Sequence, residues 1–420
     1  MNIVILTESA SFPEGMAGSS RVRLYAKGLI ENNCSASVMV VRGTENRNMI
    51  RNNIINGTFQ KIPFKYTSNN TVIPKYWILR RFDEIRGMLG AYYHLKRLKA
   101  QGCIDCALIY SNDTKFIKPF SFMCHRIGIP VLLDLCEWPL AKATAYGLNI
   151  KRARRFMQDA MVCVDGVIPI STYLQERIEE YEFDNNVTIP HIKIPILVDT
   201  DLFIPAQKEK NDRIATFLWS GSLDYTRIVQ CIADACRILS YKRSDFSIDI
   251  LGGLGPENQK KKLEAYIQKC QIGDFIKIWD FLSDEDLLVR YQNASALLVL
   301  IVDDDISRSR FPTKLGEYLA VGKPIIATSM GELKRYLKDG ETAFLVSDTS
   351  PENLAQQMAR VLDDPKKAEA IGLAGRTLAE EAFCYLKHGE RLRDFINEVI
   401  LNYKNKVSIK GSERYRFAKN

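Results

Sequence analysis

Short apolar runs alternate with amphipathic segments along the whole chain. The first half offers NIVILT, ASVMVV, ALIY, PVLLDL, GVIPI and IKIPIL, and the second ATFLW, FSIDIL, FIKIW, ALLVLIV, PIIA and AFLV. Apolar runs this short, bounded by turn residues, predict buried strands. Between them, SRVRLYAKGLIENN, LEAYIQKCQ and PENLAQQMARVLDD carry helical spacing. The last takes Ser350 as N-cap and Pro351 at its first helical position, with Leu354, Met358, Val361 and Leu362 on one face. Strands alternating with helices predict parallel sheets covered on both faces. Two sets of about six strands therefore predict an α/β protein of two Rossmann-like domains. The polar run DTDLFIPAQKEKNDR at 199–213 is the expected join. The domains are then 1–200 and 201–385, followed by a helix at 386–403 and a basic tail at 404–420.

Composition agrees with that division. At 420 residues, 46% hydrophobic and 26% charged, the chain is globular and too long for one comfortable core. The longest apolar run, ALLVLIV at 296–302, falls far short of the ~20 residues of a membrane helix. The start, MNIVILTESA, lacks a basic leader and reads as a first strand. Ten scattered cysteines, with one lone C-x-x-C at Cys103 and Cys106, suit buried thiols in a reducing cytoplasm.

Charge adds a further feature. Residues 47–100 hold 11 basic and 2 acidic residues, interleaved with aromatics in KIPFKY and KYWILRRF. A solvated basic face and an attachment to anionic lipid both fit that pattern, and no nucleic-acid motif accompanies it.

In open α/β sheets, ligands sit beyond the carboxyl ends of the strands. After the first strand comes TESASFPEGMAGSSRVR, with Gly15, Gly18, Arg21 and Arg23. Glu137 and Trp138 follow PVLLDL; SGSLDYTR, with Gly221 and Arg227, follows FLW; GGLGPE, with Gly253, follows FSIDIL. After ALLVLIV come Asp303, Asp304 and Asp305, then FPTKLGEYLAVGKPIIAT. There Leu315, Tyr318 and Leu319 form a core stripe, while Thr313, Lys314 and Glu317 lie on another near a helix N-terminus that favours anions. The competing reading of that second stripe is a plain Lys314–Glu317 ion pair. The three aspartates could hold Mg²⁺ or Mn²⁺ or simply be solvated, and His94, His125, His191 and His388 show no paired metal spacing.

Five segments, in order, resemble a retaining glycosyltransferase of family 4. FPEGMAGSSR is similar to its N-terminal glycine loop, and VDGVIPISTYLQERI to the strand and helix before its interdomain segment, which KIPILVDTDLF resembles. FPTKLGEYLAVGKPIIAT is similar to its signature, and KDGETAFLV with SPENLAQQMARVLDD to its last strand and helix. The resemblance covers roughly residues 1–400. It implies the GT-B fold, two Rossmann-like domains with a deep interdomain cleft and a C-terminal helix crossing back to the N-terminal domain. The N-terminal domain would bind acceptor and the C-terminal domain nucleotide-sugar.

By position, Glu317 matches the glutamate that holds the donor's ribose, and Ser309 stands where the paired first glutamate is expected. Ser222 and Arg227 occupy the phosphate-binding Arg-x4-Lys, and Lys314 is placed to supply the lost charge. Cys136-Glu137 replaces the usual His-Asp. The implied site has Arg227, Lys314 and Glu137 as catalytic groups. Its donor-binding residues are Gly18, Arg21, Gly221, Gly253, Ser309, Phe311, Pro312, Thr313 and Glu317.

The resemblance implies metal-independent transfer, with retention, from a nucleotide-diphospho-sugar to a hydroxyl acceptor, without any further cofactor. With the basic segment, it points to a lipid-linked or surface-polysaccharide precursor as acceptor. The expected location is cytoplasmic, with a peripheral contact on the anionic inner face of the plasma membrane and no nucleic-acid partner. A GT-B nucleotide-sugar epimerase and a non-catalytic nucleotide-sugar-binding protein fit the same residues.

Overall fold

The computed structural model describes residues 1–48, 50–147, 150–204, 214–252, 257–280 and 282–417. It divides into two units, Met1–Leu197 joined by the segment from Tyr385 onward, and Val198–Cys384.

Unit 1 is built on seven strands: β1 (Asn2–Thr7), β2 (Ser35–Val40), β3 (Asn56–Phe59), β4 (Ile62–Tyr66), β5 (Cys106–Tyr110), β6 (Val131–Leu135) and β7 (Gly166–Pro169). Their order is β3-β4-β2-β1-β5-β6-β7, parallel except for the β3–β4 hairpin. β6 and β7 are buried at every position, as strands covered on both faces must be. The chain order reverses at β1, whose neighbours are β2 and β5. A crevice opens at such a switch point beyond the carboxyl ends of the strands.

IKIPIL, expected as a strand, forms none. Pro190 and Pro195 have no N–H to offer a ladder, and the segment makes only short contacts to β7 through the amides of Ile192 and Ile194. Its apolar residues Ile194 and Ile196 are nonetheless buried.

The C-terminal helix, Tyr385–Phe417, runs past the expected end at 403 and takes in most of the predicted tail. It packs on α1 (Ala17–Glu31) where two glycines meet, since a Cβ on Gly389 would come within 2.5 Å of the Gly28 carbonyl oxygen. Leu392, Phe395, Ile396, Val399 and Ile400 from this helix join Ile3, Ile5, Val22 and Tyr25 in the core of unit 1.

Helix α2 (Trp77–Ala100) reverses the usual pattern. Its buried stripe is Asp83, Gly87, Ala91 and Leu95, and Gly87 lies so close to the sheet that a Cβ would overlap the Val41 carbonyl. Small residues let the backbone dock, and the large apolar side chains Ile78, Phe82, Ile85, Leu89 and Tyr93 form an exposed stripe on the outer side.

Unit 2 has six parallel strands: β8 (Ala215–Ser220), β9 (Phe246–Leu251), β10 (Ile276–Trp279), β11 (Ala296–Val299), β12 (Ile325–Thr328) and β13 (Phe344–Val346). They lie in the order β10-β9-β8-β11-β12-β13, so the switch point falls between β8 and β11. Ser350 caps the helix Pro351–Asp363 through the Asn353 amide, and Leu354, Met358 and Val361 enter the core as the sequence predicts. Residues 205–213, most of the predicted join, lie outside the described residues.

Candidate functional site

In unit 2 the chain leaves β8 at Ser220 and turns into the helix Thr226–Ser240. Gly221 does not offer its amide to a ligand, because that N–H donates to the Leu251 carbonyl at 3.1 Å. It is glycine because a Cβ would meet the Trp219 ring at 2.6 Å. Arg227 stands exposed in the first turn of the helix, without an ion-pair partner among the described residues.

The helix Lys314–Val321 buries Leu315, Tyr318 and Leu319 and turns Lys314 and Glu317 to the other side. Lys314 Nζ lies 2.8 Å from Glu317 Oε2, both half-buried. Burial pulls the Lys314 ammonium down, but the Glu317 carboxylate, Tyr318 and Asp284 together outweigh it and hold the ammonium above its ordinary value. Thr313 sits at the N-cap position without capping through its side chain, and the Pro312 carbonyl accepts from the Leu315 amide.

Beneath the pair, Tyr291 and Tyr318 meet edge to face at 4.8 Å, and Lys314 lies 5.5 Å from the Tyr291 ring centre. Both hydroxyls are buried, and among the described residues neither has a hydrogen-bond partner of full geometry. Burial pushes both phenols well above their usual range, and Ser220 at the end of β8 lies beside Tyr291. A cation, a carboxylate and two buried hydroxyls thus converge near the carboxyl end of β8. Sequence reasoning passed over Tyr291, whose role depends on a helix contact with no local signal.

Two predicted donor contacts belong to the core instead. Phe311 is buried, packed 5.3 Å from the Tyr336 ring and 5.6 Å from Phe383. Ser309 is buried and donates its hydroxyl to the Ile306 carbonyl at 2.9 Å. The first aspartate of the 303–305 run pairs with Arg308 at 2.9 Å, and Asp304 caps the turn that follows through the Ser307 amide at 2.7 Å. Gly253 lies outside the described residues.

In unit 1, a cavity of about 630 Å³ opens at the switch point between β1 and β5. It is lined by the loop after β1 (Glu8, Ser9, Ala10, Ser11), by Gly18 and Ser19 of α1, and by Tyr110, Asn112 and Asp113 after β5. Glu137 and Lys142 line it too, as an ion pair at 3.2 Å. The loop after β1 is anchored from below. The Tyr66 hydroxyl accepts from the Phe12 amide at 3.0 Å, and Asn52 donates to the Phe12 carbonyl at 2.7 Å. Gly18 is glycine because a Cβ would come 2.6 Å from the Tyr110 hydroxyl.

Arg21 is not an anion-binding group. Only 4% exposed, it grips Asp134 with Nε and Nη2 at 2.8 and 2.9 Å and donates to the Ile194 and Pro195 carbonyls. The Tyr25 hydroxyl and the Cys136 thiol donate to the same carboxylate, at 3.0 and 3.1 Å. Cys136, which stands in place of the usual histidine, thus completes a buried structural network.

A second residue that sequence reasoning missed is Glu8. It is 4% exposed, accepts from the Ser111 hydroxyl at 2.8 Å through Oε1, and leaves Oε2 buried without a partner among the described residues. Burial pushes its carboxyl up to about 7, against the Ser111 hydrogen bond and the Arg42 charge. Its signal was available, since it is the acid directly after the first strand, where βα loops gather.

Residues 201–378 match the family described as glycosyl transferases group 1. An MMP alpha-(1->4)-mannosyltransferase of Mycolicibacterium hassiacum is 28% identical over 194 residues, 46% of this chain and 44% of that protein. A D-inositol 3-phosphate glycosyltransferase of Paenarthrobacter aurescens is 24% identical over 237 residues, 54% and 57% of the two chains. The match thus spans about half the length of these relatives. Among solved structures, sucrose-phosphate synthase from Thermosynechococcus elongatus superposes with a TM-score of 0.70 over 96% of this chain and 100% of its own, at 16% identity. HepE of Anabaena, solved in complex with UDP, gives 0.68 over 95% and 100%, at 14% identity. At these identities the likeness shows the fold, which is GT-B.

Proposed function

We propose that the protein moves a sugar, with retention, from a nucleotide-diphospho-sugar to an acceptor hydroxyl, a reading supported by the match of residues 201–378 to the glycosyl transferases group 1 family. The observation that carries this reading is the Lys314–Glu317 pair near the carboxyl end of β8, with Arg227 exposed in the first turn after that strand. Two cations suit a diphosphate, and a fixed carboxylate suits the two hydroxyls of a ribose. That the fold neighbour HepE binds UDP supports a nucleotide on this unit.

In the proposed reaction the acceptor oxygen forms a bond to the anomeric carbon as the bond from that carbon to the diphosphate oxygen breaks. The acceptor's proton passes to an oxygen of the departing diphosphate, so no protein base is required. Arg227 and Lys314 then act on the charge that grows on the leaving group, and Glu317 orients the nucleoside.

The acceptor we favour is a lipid-linked or surface-polysaccharide precursor presented at an anionic membrane. No helix among the described residues is long and apolar enough to cross a bilayer. Helix α2 instead carries Trp77, Ile78, Phe82, Ile85, Leu89 and Tyr93 at exposures of 52–72%, beside exposed Arg80, Arg81 and Arg86. An apolar stripe flanked by arginines suits a helix lying in the headgroup region. Arg42 links α2 to the cavity loop, donating to Glu84 at 2.6 Å and to the Glu8 carbonyl at 2.9 Å.

The test is donor consumption. UDP-, GDP- and ADP-sugars are incubated with the protein, with and without membrane lipid extracts. Sugar transfer that requires the extract is expected. Sugar isomerisation without acceptor, or nucleotide binding with no turnover, would replace this reading by an epimerase or a binding protein.

A further inference from the structure

We infer that the unit 1 cavity, on the unit to which the resemblance already assigns the acceptor, takes an uncharged, hydroxyl-rich ring, and that Glu8 is the residue that selects it. This rests on the transferase reading above and adds to it the class of acceptor.

The argument begins with register. Thr7 pairs with Tyr110 across β1 and β5, so the next residues, Glu8 and Ser111, emerge side by side where the strand order reverses. Ser111 satisfies one oxygen of the Glu8 carboxyl. The second, Oε2, has no partner among the described residues, and neither has the buried Oδ1 of Asn112, the next residue along. Both residues line the cavity. A buried polar atom left without a hydrogen bond is costly, and two in one cavity mark places where a ligand's donors belong.

Asp134, in the same unit, shows what a structural carboxylate looks like here. Four side-chain donor contacts saturate it, three of them from Arg21 and Tyr25. Glu8 has no such collar. Its neighbouring cation, Arg42, gives Nε to the Glu8 backbone carbonyl and Nη1 to Glu84, leaving the Glu8 carboxyl, among the described residues, to the Ser111 hydroxyl and its own backbone amide.

The rest of the lining sets the charge of the guest. Glu8, Asp113 and Glu137 face one ammonium, Lys142, which already pairs with Glu137. Ser9, Ser11, Ser19, Thr44 and Tyr110 add hydroxyls. Such a wall matches ring hydroxyls, which both donate and accept, and opposes a phosphate or carboxylate on the ring. A carboxyl that burial shifts toward neutrality holds a hydroxyl by hydrogen bonding without requiring a cationic guest.

The test is ligand-detected saturation-transfer NMR on the full chain. The neutral probes are methyl α-glucoside, methyl α-mannoside, methyl α-galactoside and myo-inositol, and the anionic probes are glucose 6-phosphate and glucuronate. At least one neutral probe is expected to bind, with the anions at least fivefold weaker. Glu8→Gln, which keeps the shape and presents an N–H₂ in one of its two orientations, and Asn112→Ala should each weaken the neutral probe at least fivefold. Should Glu8→Gln fail to fold, Asn112→Ala and the neutral-to-anion ratio carry the same test. Binding of no neutral probe, equal or tighter binding of an anion, or unchanged affinity in a folded variant would overturn the assignment. Thermal stabilisation by UDP, GDP and ADP, measured in parallel, reports on unit 2 alone. Nucleotide binding without sugar binding would overturn only this inference, and sugar binding without nucleotide binding would overturn the transferase reading on which it rests.

Discussion

Lys314 and Glu317 are each other's partner, at 2.8 Å within one turn of one helix. An i,i+3 pair of half-exposed groups contributes only a few tenths of a kcal/mol. Glu317→Gln should therefore shift the melting temperature by about 1 °C or less. If the carboxylate holds a ribose, the same change should weaken nucleotide binding about tenfold, read by calorimetry. A variant with unchanged nucleotide affinity would leave the pair as an ordinary surface contact.

Arg227 is exposed and unpaired among the described residues, so its removal leaves no buried group orphaned. Arg227→Ala should keep the wild-type melting temperature and lower turnover at least ~10-fold, the scale of losing one preorganised donor to a leaving group. Full activity in the purified variant would take Arg227 out of the site.

Arg21→Ala should behave in the opposite way. It leaves Asp134 buried and uncompensated, a loss of about 3–5 kcal/mol for a buried pair broken on one side. Urea unfolding followed by a unit 1 signal should show it. A midpoint within error of wild type would contradict the network.

Glu8 makes stability depend on pH. Its carboxyl is raised from 4.5 to about 7, chiefly by burial, with Ser111 and Arg42 pulling it down and Asp113 pushing it up. A raised acid binds more protons folded than unfolded between those values. Its contribution is therefore fully present below about 4.5 and lost as pH rises through 7. The swing is on the order of 3 kcal/mol for this group alone. Glu8→Gln should gain on wild type between pH 5 and pH 8, measured as the difference in denaturant midpoints. Parallel pH curves for the two proteins would show that Glu8 ionises normally.

On α2, Phe82→Ser with Ile85→Ser removes two side chains that are 68% and 61% exposed, so the melting temperature should hold. Binding to phosphatidylglycerol vesicles should fall at least ~10-fold, since each large apolar group is worth roughly a kcal/mol or more at an interface. Wild-type binding should also weaken with salt. Sedimentation with vesicles checks both, and undiminished binding by the double variant would remove α2 from the membrane contact.

Much of the fold was legible because parallel strands buried on both faces read as apolar runs, as NIVILT and PVLLDL do. IKIPIL carries the same apolar signal, but Pro195 within it and Pro190 before it deny it a ladder, and the hairpin β3–β4 escaped because NGTF and IPFKY lack a continuous run. In the candidate site, Lys314 and Glu317 were legible since both lie within one helical turn. Arg21 misled, because its partner Asp134 stands 113 positions away and nothing local reveals that the guanidinium turns inward. Phe311 misled likewise, its neighbours Tyr336 and Phe383 being assembled only by the tertiary fold. Helix α2 hides its orientation for a related reason, as backbone contact through Gly87 outranks the larger side chains.

The glycine crossing of Gly28 with Gly389 has a consequence for how the molecule is made. Residues 1–197 are translated without the wedge that fills their core, since Leu392, Phe395, Ile396, Val399 and Ile400 follow only after the whole of unit 2. The nascent amino-terminal half must wait with an open seam along α1 while the intervening unit, contiguous in sequence, can close first. Birth order and folding order are thereby inverted, and the helix from Tyr385 onward is the latch whose arrival closes unit 1.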